Sequence, residues 1–228
     1  MRIAILEDDR EVSEEIASTL DQNGHNCTCF DRGQKLINRL KHDTFDVLLI
    51  DWNLPDFDGL RIIGWVKENV KRAPPMIVLT SRTADEDIVA ALEAGADDYV
   101  IKPPLAPILL ARISAVCRRT YPEPPASGVE MHGEYIFNTF SETVLLRGEA
   151  IPLTKKEFGI ALILFRNIHR TLSREYLFQT LWGASPELQT RTLDAHVSKV
   201  RNKLNLRAAN GYRLSPIYAF GYRLEKLI

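Results

Sequence analysis

Five short apolar runs punctuate the first half of the chain, and their spacing limits the possible folds more than any other feature. They are IAIL (Ile3–Leu6), CTCF (Cys27–Phe30), VLLI (Val47–Ile50), MIVL (Met76–Leu79) and YVI (Tyr99–Ile101). Each is about the length of one strand. Segments with helical periodicity, such as Val12–Leu20 and Leu60–Val70, lie between them. Parallel strands need a long crossover, and a helix supplies it. The alternation therefore predicts an α/β doubly wound five-stranded parallel sheet with helices on both faces. In such sheets the reactive groups gather beyond the carboxyl ends of the strands.

The chain has 228 residues, which at roughly 150 residues per domain implies one or two domains. The stretch TYPEPPASG, from Thr120 to Gly128, divides it. Proline lacks an amide donor and restricts its predecessor, so this stretch cannot continue a helix. The expected division is a first domain at 1–119, a short linker at 120–129 and a second domain at 130–228. Charge divides the same way. Residues 1–120 hold 15 basic and 20 acidic residues, and residues 121–228 hold 14 and 10, which points to different partners for the two halves. No apolar run approaches the ~18 residues of a membrane span, and MRIAILEDDR lacks the shape of a signal peptide. Three cysteines, Cys27, Cys29 and Cys117, suggest no disulfide framework. The expected compartment is the cytoplasm, with no membrane partner.

The residues that follow the strands carry the chemistry. The first strand ends in Glu7-Asp8-Asp9, the third in Asp51, the fourth in Thr80-Ser81 and the fifth in Lys102-Pro103. A parallel sheet brings these ends to one edge. An Asp after a strand is commonly only a helix N-cap, so the weight falls on the joint pattern at four strand ends. Clustered carboxylates repel and call for a compensating charge. Mg2+ suits them, because it prefers hard oxygen ligands. A carboxylate in such a site can attack phosphorus to give an aspartyl phosphate. A metal and a lysine then screen the transferring group, and Thr80 is placed to hydrogen-bond a phosphoryl oxygen. Asn53 and Arg82 sit two residues beyond Asp51 and Thr80, where they border the path of a hydrolysing water and should tune the lifetime of the acyl phosphate. Leu54-Pro55 and Gly59 read as loop geometry. His25 and His42 read as surface residues.

Glu7-Asp8-Asp9, the DWNLPDFDG run at 51–59, Thr80-Ser81-Arg82, GADDYV at 95–100 and Lys102-Pro103 together resemble a response-regulator receiver domain over about residues 1–119. The resemblance implies a flavodoxin/CheY-like fold with Asp51 as phosphoacceptor. It implies that Glu7, Asp8, Asp51 and the backbone carbonyl of Asn53 hold Mg2+, with Asp9 secondary. Thr80 and Tyr99 match the switch pair, Lys102 the phosphoryl partner, and the Lys102–Pro103 peptide is expected to be cis. Activated dimers of this family usually pair a cation on helix 4 with a glutamate on helix 5. Here those positions hold Ile88 and Ile108, while Asp97, Asp98 and Arg112 remain, so the expected dimer face is more apolar and less sensitive to salt.

The second half reads as an α+β domain. Short strands fill 134–153, three helical patterns follow, and Tyr218–Leu224 closes the chain as strand. Thr154 and Glu157 form a T-x-x-E capping box before Phe158, Ala161, Leu162 and Phe165. A second helix starts after Ser173 and stops near Trp182-Gly183. The third pattern, RTLDAHVSKVRNKL at 191–204, sets Leu193, Val197, Val200 and Leu204 on one stripe. The opposite face carries Arg191, Ala195, Ser198, Lys199 and Asn202, with His196 and Lys203 on one flank and Arg201 on the other. A helix with a core stripe and a basic, amide-bearing back is what a major groove accepts.

LTKKEF, TLSREYL, LW, RTLDAHVSKVRNKL and FGYRL resemble the winged-helix effector domain of the OmpR/PhoB group over about 130–228. The resemblance implies double-stranded DNA as partner, with Arg191, His196, Ser198, Lys199 and Arg201 at DNA-contacting positions. It also implies a structural role for Asp194 and a core role for Trp182. The loop Gly183–Thr190 matches a segment that touches RNA polymerase. The wing departs from the group: Tyr218-Ala219-Phe220-Gly221 stands where an arginine often precedes a glycine. Tyr218 is then the expected contact to phosphate or sugar, and Arg213 and Arg223 are candidates for backbone contacts.

The expected function is a phosphorylation-controlled, DNA-binding transcription regulator of a two-component system. A sensor histidine kinase phosphorylates Asp51, and a homodimer then binds the promoter. No enzyme activity is expected beyond self-phosphorylation and autodephosphorylation. Two other classes compete: a phosphatase working through an aspartyl phosphate, and a regulator whose receiver is a constitutive dimerisation module that ignores phosphorylation.

Overall fold

Runs of β-branched and leucine side chains with no polar interruption form strands buried on both faces, and the first half of the chain shows this directly. The computed structural model describes residues 1–82, 84–121, 123, 125–183 and 190–227, the last stretch without the side chains of residues 190 and 191. The chain divides into two compact units, residues 1–122 and 123–228. In the first unit the elements alternate strictly: β1 (Arg2–Leu6), α1 (Arg10–Gln22), β2 (Asn26–Phe30), α2 (Gly33–Leu40), β3 (Val47–Asp51), α3 (Gly59–Asn69), β4 (Met76–Thr80), α4 (Asp85–Glu93), β5 (Asp98–Ile101) and α5 (Ala106–Thr120). The strands form one parallel sheet in the order β2-β1-β3-β4-β5.

Period-two alternation divides the core of this unit into two layers. Ala4, Leu6, Leu48 and Ile50 face α2 and α3, against Leu36, Ile62 and Val66. Ile3, Ile5, Val47 and Leu49 face α1 and α5, against Ile16, Leu20, Leu109 and Ile113. Asp9 caps α1 by accepting from the amides of Glu11 and Val12. Asp58 caps α3 through the Leu60 amide. At the amino-terminal edge of the sheet, Arg2 forms a buried ion pair with Asp43 at 2.6 Å. Beyond α5, the Tyr121 hydroxyl donates to the Asp46 carbonyl at 2.9 Å. His42 is exposed, but His25 is half-buried, which corrects the surface reading. The turn after α1 folds back so that the His25 amide donates to the Leu20 carbonyl, and burial pushes the imidazole pKa down. All three cysteines are free thiols.

The second unit opens on an antiparallel sheet of β6 (Val129–His132), β7 (Tyr135–Asn138), β8 (Thr143–Leu146) and β9 (Glu149–Ile151). Then come α6 (Lys155–Arg166), β10 (Thr171–Ser173), α7 (Arg174–Trp182), α8 (Thr190–Lys203), a 3-10 turn at Ala208–Asn210, β11 (Tyr212–Ile217) and β12 (Gly221–Lys226). Three of these strands make a second antiparallel sheet in the order β10-β12-β11. The capping box at Thr154 and Glu157 forms in both directions. Tyr135, Phe137, Phe158, Phe165, Leu193, Val197, Val200, Leu204 and Leu224 pack into one core. β6 and β10 are not legible in the sequence, because each is only three or four residues long and its pattern is set by its partner strand; the expected strand at Tyr218–Leu224 is corrected, since Tyr218–Phe220 form the turn between β11 and β12, which starts only at Gly221. Trp182 is half-buried and packs against this core from its edge. It stacks on Phe178, with ring centroids 5.3 Å apart, and lies under the Lys156 ammonium at 4.9 Å.

Gly221 starts β12 where the backbone of β10 comes closest. A Cβ placed there would sit 2.0 Å from the Leu172 carbonyl oxygen and 2.9 Å from the Arg174 amide. Backbone cannot move aside cheaply, so Gly221→Ala is expected to destabilise the second unit by about 1–3 kcal/mol. Gly64, inside α3 with nothing within 4 Å of its added Cβ, should respond oppositely: Gly64→Ala is expected to stabilise by about 0.5–1 kcal/mol. Urea unfolding of the full-length variants checks both signs.

Candidate functional site

The carboxyl ends of β1, β3, β4 and β5 deliver Glu7, Asp51, Thr80 and Lys102 to one edge of the sheet, as parallel topology requires. Glu7 is 2 % exposed, Asp51 4 % and Thr80 2 %, while Asp8 is open to solvent. The Lys102 ammonium stands 2.5 Å from Glu7 Oε2 and 2.9 Å from Asp51 Oδ1, bridging two buried carboxylates. Carboxylate oxygens of Glu7, Asp8 and Asp51 all lie within 4.8 Å of one another. Burial pushes the Glu7 pKa up, and the neighbouring Asp51 charge adds to this, against the hydrogen bond from Lys102. Burial alone would lower the Lys102 pKa, but the two carboxylates outweigh it and raise it. The Lys102–Pro103 peptide is cis.

The neighbouring residues shape this edge. Thr80 Oγ1 accepts from the Arg82 amide at 3.0 Å. The Arg82 guanidinium donates to Asn53 Oδ1 at 3.3 Å, pairs with Asp87 at 3.1 Å and lies 4.9 Å over the Trp52 ring. The two residues placed by spacing alone beside the acyl phosphate therefore meet. Asp9 caps α1. Gly59 proves to be a close-approach residue. A Cβ on it would sit 2.3 Å from the Asp51 carbonyl oxygen, so the loop after β3 can fold back only over glycine.

The expected dimer residues have partners within the chain. Asp98 pairs with Arg112 at 2.6 Å, and that guanidinium lies 5.4 Å over the ring of half-buried Tyr99. Asp97 accepts from the Met76 amide at 2.8 Å. Ile88 is half-buried and Ile108 exposed. On the same elements, α4, β5 and the start of α5, the structure exposes Val89, Leu92, Ile101 and Leu105 as well. Sequence reasoning missed these four. Val89 and Leu92 lie on α4, Ile101 ends β5 and Leu105 precedes α5, so no single helical periodicity marks them in the sequence.

In the second unit α8 buries Leu193, Val197, Val200 and Leu204 completely and exposes Ala195, Ser198, Lys199 and Asn202. His196 is half-buried; its Nδ1 lies 2.8 Å from the Thr192 carbonyl and its ring edge meets Trp182. Arg201 donates its Nε–H to the Leu214 carbonyl at 3.0 Å, tying the helix to β11. Lys203 is drawn to Glu157 at 2.8 Å. Asp194 accepts from Arg174 Nε at 3.1 Å and from the Tyr222 hydroxyl at 2.6 Å, which is the structural role expected of it. Arg213 and Arg223 both pair with Glu225 at 2.9 Å. The Arg191 side chain and the loop residues 184–189 lie outside the described residues.

The Tyr222–Asp194 hydrogen bond joins the terminal hairpin to α8 with a charged acceptor. A hydrogen bond to a charged group contributes about 1.5–3 kcal/mol. Tyr222→Phe is expected to lower the stability of the second unit by about that much, measured by urea unfolding. A change within error would mean that this hydrogen bond adds nothing net to the hold of packing and the Arg201–Leu214 bond on the hairpin.

Residues 3–114 match the response regulator receiver domain, and residues 148–224 match the C-terminal domain of transcriptional regulatory proteins. Sensory transduction protein RegX3 of Mycolicibacterium smegmatis is 34 % identical over 226 residues, covering 98 % of both chains. Phosphate regulon transcriptional regulatory protein PhoB of Escherichia coli is 34 % identical over 204 residues, covering 89 % of both. Among solved structures, the receiver domain of the Francisella response regulator 1452 is similar at a TM-score of 0.50 and 25 % identity, over 52 % of this chain and 98 % of that one. Among the described residues no helix is long and apolar enough to cross a membrane. An acidic sheet edge with one lysine, joined to a winged helix, thus places this chain in the OmpR/PhoB family of two-component response regulators, which are phosphorylation-controlled DNA-binding regulators of transcription.

Proposed function

We propose that Asp51 is the phosphoacceptor and that a phosphohistidine on a sensor kinase is its donor. The observation that carries this reading is the Lys102 ammonium held 2.9 Å from a nearly buried Asp51 carboxylate. An Asp51 oxygen forms a bond to phosphorus as the phosphorus–nitrogen bond breaks. The leaving imidazole keeps the electron pair and takes up a proton. Lys102 sits where developing charge on the phosphoryl oxygens is screened. Thr80, whose Oγ1 already accepts from the Arg82 amide, keeps its hydroxyl proton to donate to a phosphoryl oxygen. Tyr99 then turns inward behind Thr80, releasing its ring from beneath Arg112.

The donor set fits a magnesium ion. Glu7, Asp8 and Asp51 present three carboxylates to one lysine, a formal excess of two negative charges, and all are hard oxygen donors. These three and the Asn53 backbone carbonyl would hold Mg2+. When bound, it supplies positive charge beside the transferring phosphoryl group. The same residues support self-phosphorylation by small phosphodonors and slow autodephosphorylation, with no other enzyme activity.

Phosphorylation adds negative charge at the sheet edge and shifts the α4–β5–α5 face, with Ile88, Asp97, Asp98, Ile108 and Arg112, toward a homodimer. Two winged helices then occupy half-sites about one helical turn apart on double-stranded DNA. Arg191, His196, Ser198, Lys199, Arg201 and Tyr218 are the proposed DNA-contacting residues, and 183–190 the proposed segment toward RNA polymerase. The work is cytoplasmic.

With acetyl phosphate and Mg2+, the full chain is expected to gain the mass of one phosphoryl group and to shift to dimers that bind DNA more tightly. Asp51→Asn and removal of divalent ions by EDTA should each abolish the gain, read by intact-protein mass spectrometry. Full DNA binding by Asp51→Asn would favour the constitutive alternative. Because the exposed face around Ile108 is apolar, dimer dissociation of the activated protein should change little between about 0.1 and about 1 M salt; sedimentation showing strong weakening would count against an apolar interface.

The contact of Asn53 with Arg82 supports the reading that this pair borders the path of the hydrolysing water. Replacing both by alanine is expected to shorten the half-life of the acyl phosphate several-fold, followed by loss of the phosphorylated mass with time. An unchanged decay rate would show that neither residue limits access of water.

A further inference from the structure

The outer edge of β2 is unguarded. β2 is the last strand on its side of the parallel sheet. Edge strands are normally blunted by a charge, a proline or a bulge. The strand Asn26-Cys27-Thr28-Cys29-Phe30 has no charge and no proline, and it pairs with β1 from Arg2 and Asn26 to Leu6 and Phe30 without a bulge. The Asn26 amide donates to the Met1 carbonyl at 2.8 Å, and the Phe30 carbonyl accepts from the Glu7 amide at 2.9 Å. Alternate residues of a strand bond to the same neighbour, so Asn26, Thr28 and Phe30 serve β1. The amides and carbonyls of Cys27 and Cys29 point the other way, off the sheet.

Two thiols stand on that edge, and residues two apart share one face. Cys27 is half-buried against the layer that holds α1. Cys29 is exposed, with its Sγ 4.0 Å from the Ser13 carbonyl of α1. The strand is also complementary to itself. When a second copy adds antiparallel with Thr28 on the two-fold axis, Cys27 of each copy stands opposite Cys29 of the other. Their outward amides and carbonyls then exchange both hydrogen bonds, which sets the paired Cα atoms about 5.5 Å apart. A disulfide usually spans about 5.5–6 Å between Cα atoms. The like pairs, Cys27 with Cys27 and Cys29 with Cys29, are diagonal at about 7–8 Å, beyond that reach.

We propose that the outer edge of β2 is an oxidant-responsive self-association site, where two copies pair antiparallel about Thr28 and a peroxide locks them with Cys27–Cys29 disulfides. The peroxide meets the exposed Cys29 first. A sulfur–oxygen bond forms as the peroxide oxygen–oxygen bond breaks, leaving a sulfenic acid and one water. Cys27 of the other copy then forms the sulfur–sulfur bond as that sulfur–oxygen bond breaks, and the hydroxyl departs with the thiol proton as a second water. Burial first, then the nearby Asp21 charge, pushes the Cys27 thiol up to about 12, so it stays protonated until a sulfenic acid is set against it. Disulfides in a reducing compartment are usually transient and redox-sensing, which suits such a site. The site uses neither Asp51 nor α8 and lies at the sheet edge opposite β5, so it stands apart from the phosphorylation and DNA readings.

The reduced full chain, treated with hydrogen peroxide and run on non-reducing gels, tests this. The parent is expected to double in mass and to return to the monomer with dithiothreitol. Cys27→Ser and Cys29→Ser should each lose the covalent dimer when treated alone. An equimolar mixture of the two variants should regain it, because one Cys27–Cys29 bridge is then available, and the regain shows that both are folded. Cys27→Ala replaces Cys27→Ser if serine lowers the melting temperature. A parent that stays monomeric in peroxide overturns the site. If the variant lacking Cys27 dimerises like the parent, exposed Cys29 thiols are joining by collision and the paired register is overturned. A mixture that stays monomeric, with both variants melting at the parent temperature, overturns it equally.

Discussion

One ammonium group between two buried carboxylates underlies the arrangement of the first unit. Glu7 and Asp51 are withdrawn from water on neighbouring strands, and their charges repel. Taking charges out of water is costly unless they are paired at close range. Lys102, brought across the sheet edge at the end of β5, bridges both. The same geometry underlies the proposed phosphorylation of Asp51. The group that balances the resting carboxylates also faces the position where phosphoryl oxygens would arrive, and three carboxylates against one lysine leave room for a divalent cation.

The second unit works on a different principle. α8 has two unlike faces, one buried as a stripe of Leu193, Val197, Val200 and Leu204, the other open. Its flanks are pinned by polar bonds: Asp194 holds Tyr222 and Arg174, Arg201 holds the Leu214 carbonyl, and Lys203 is drawn to Glu157. Polar residues that look alike on a helical wheel thus divide into those that fix the helix in place and those left for a partner. Ser198 and Lys199 belong to the second group. Arg201 has one guanidinium nitrogen already engaged.

Much of this was legible before any coordinates. The strand ends at Glu7, Asp51, Thr80 and Lys102 stood out because continuous apolar runs end abruptly at polar residues, and topology alone gathers such ends. The capping box at Thr154 and Glu157 was legible because it is local. Less legible were features set by contacts distant along the chain. The close approach that demands Gly59, the half-burial of His25 and Trp182, and the short strands β6 and β10 all depend on what packs nearby. Val89, Leu92, Ile101 and Leu105 were not singled out, because an apolar residue in a sequence carries no label saying which side faces water.

The order of residues alone determined the alternation of strands and helices, the break near Thr120–Gly128, the acidic edge and the family resemblance. These follow from local spacing, backbone propensity and the rule that parallel strands share one end. Only the tertiary structure decided which charges find partners. Arg82 meets Asn53 and Asp87, Arg112 takes Asp98, Glu225 gathers two arginines, and Tyr218 is left without cover. Pairing falls off within a few ångströms, and distances that small between residues far apart in the chain are set by packing.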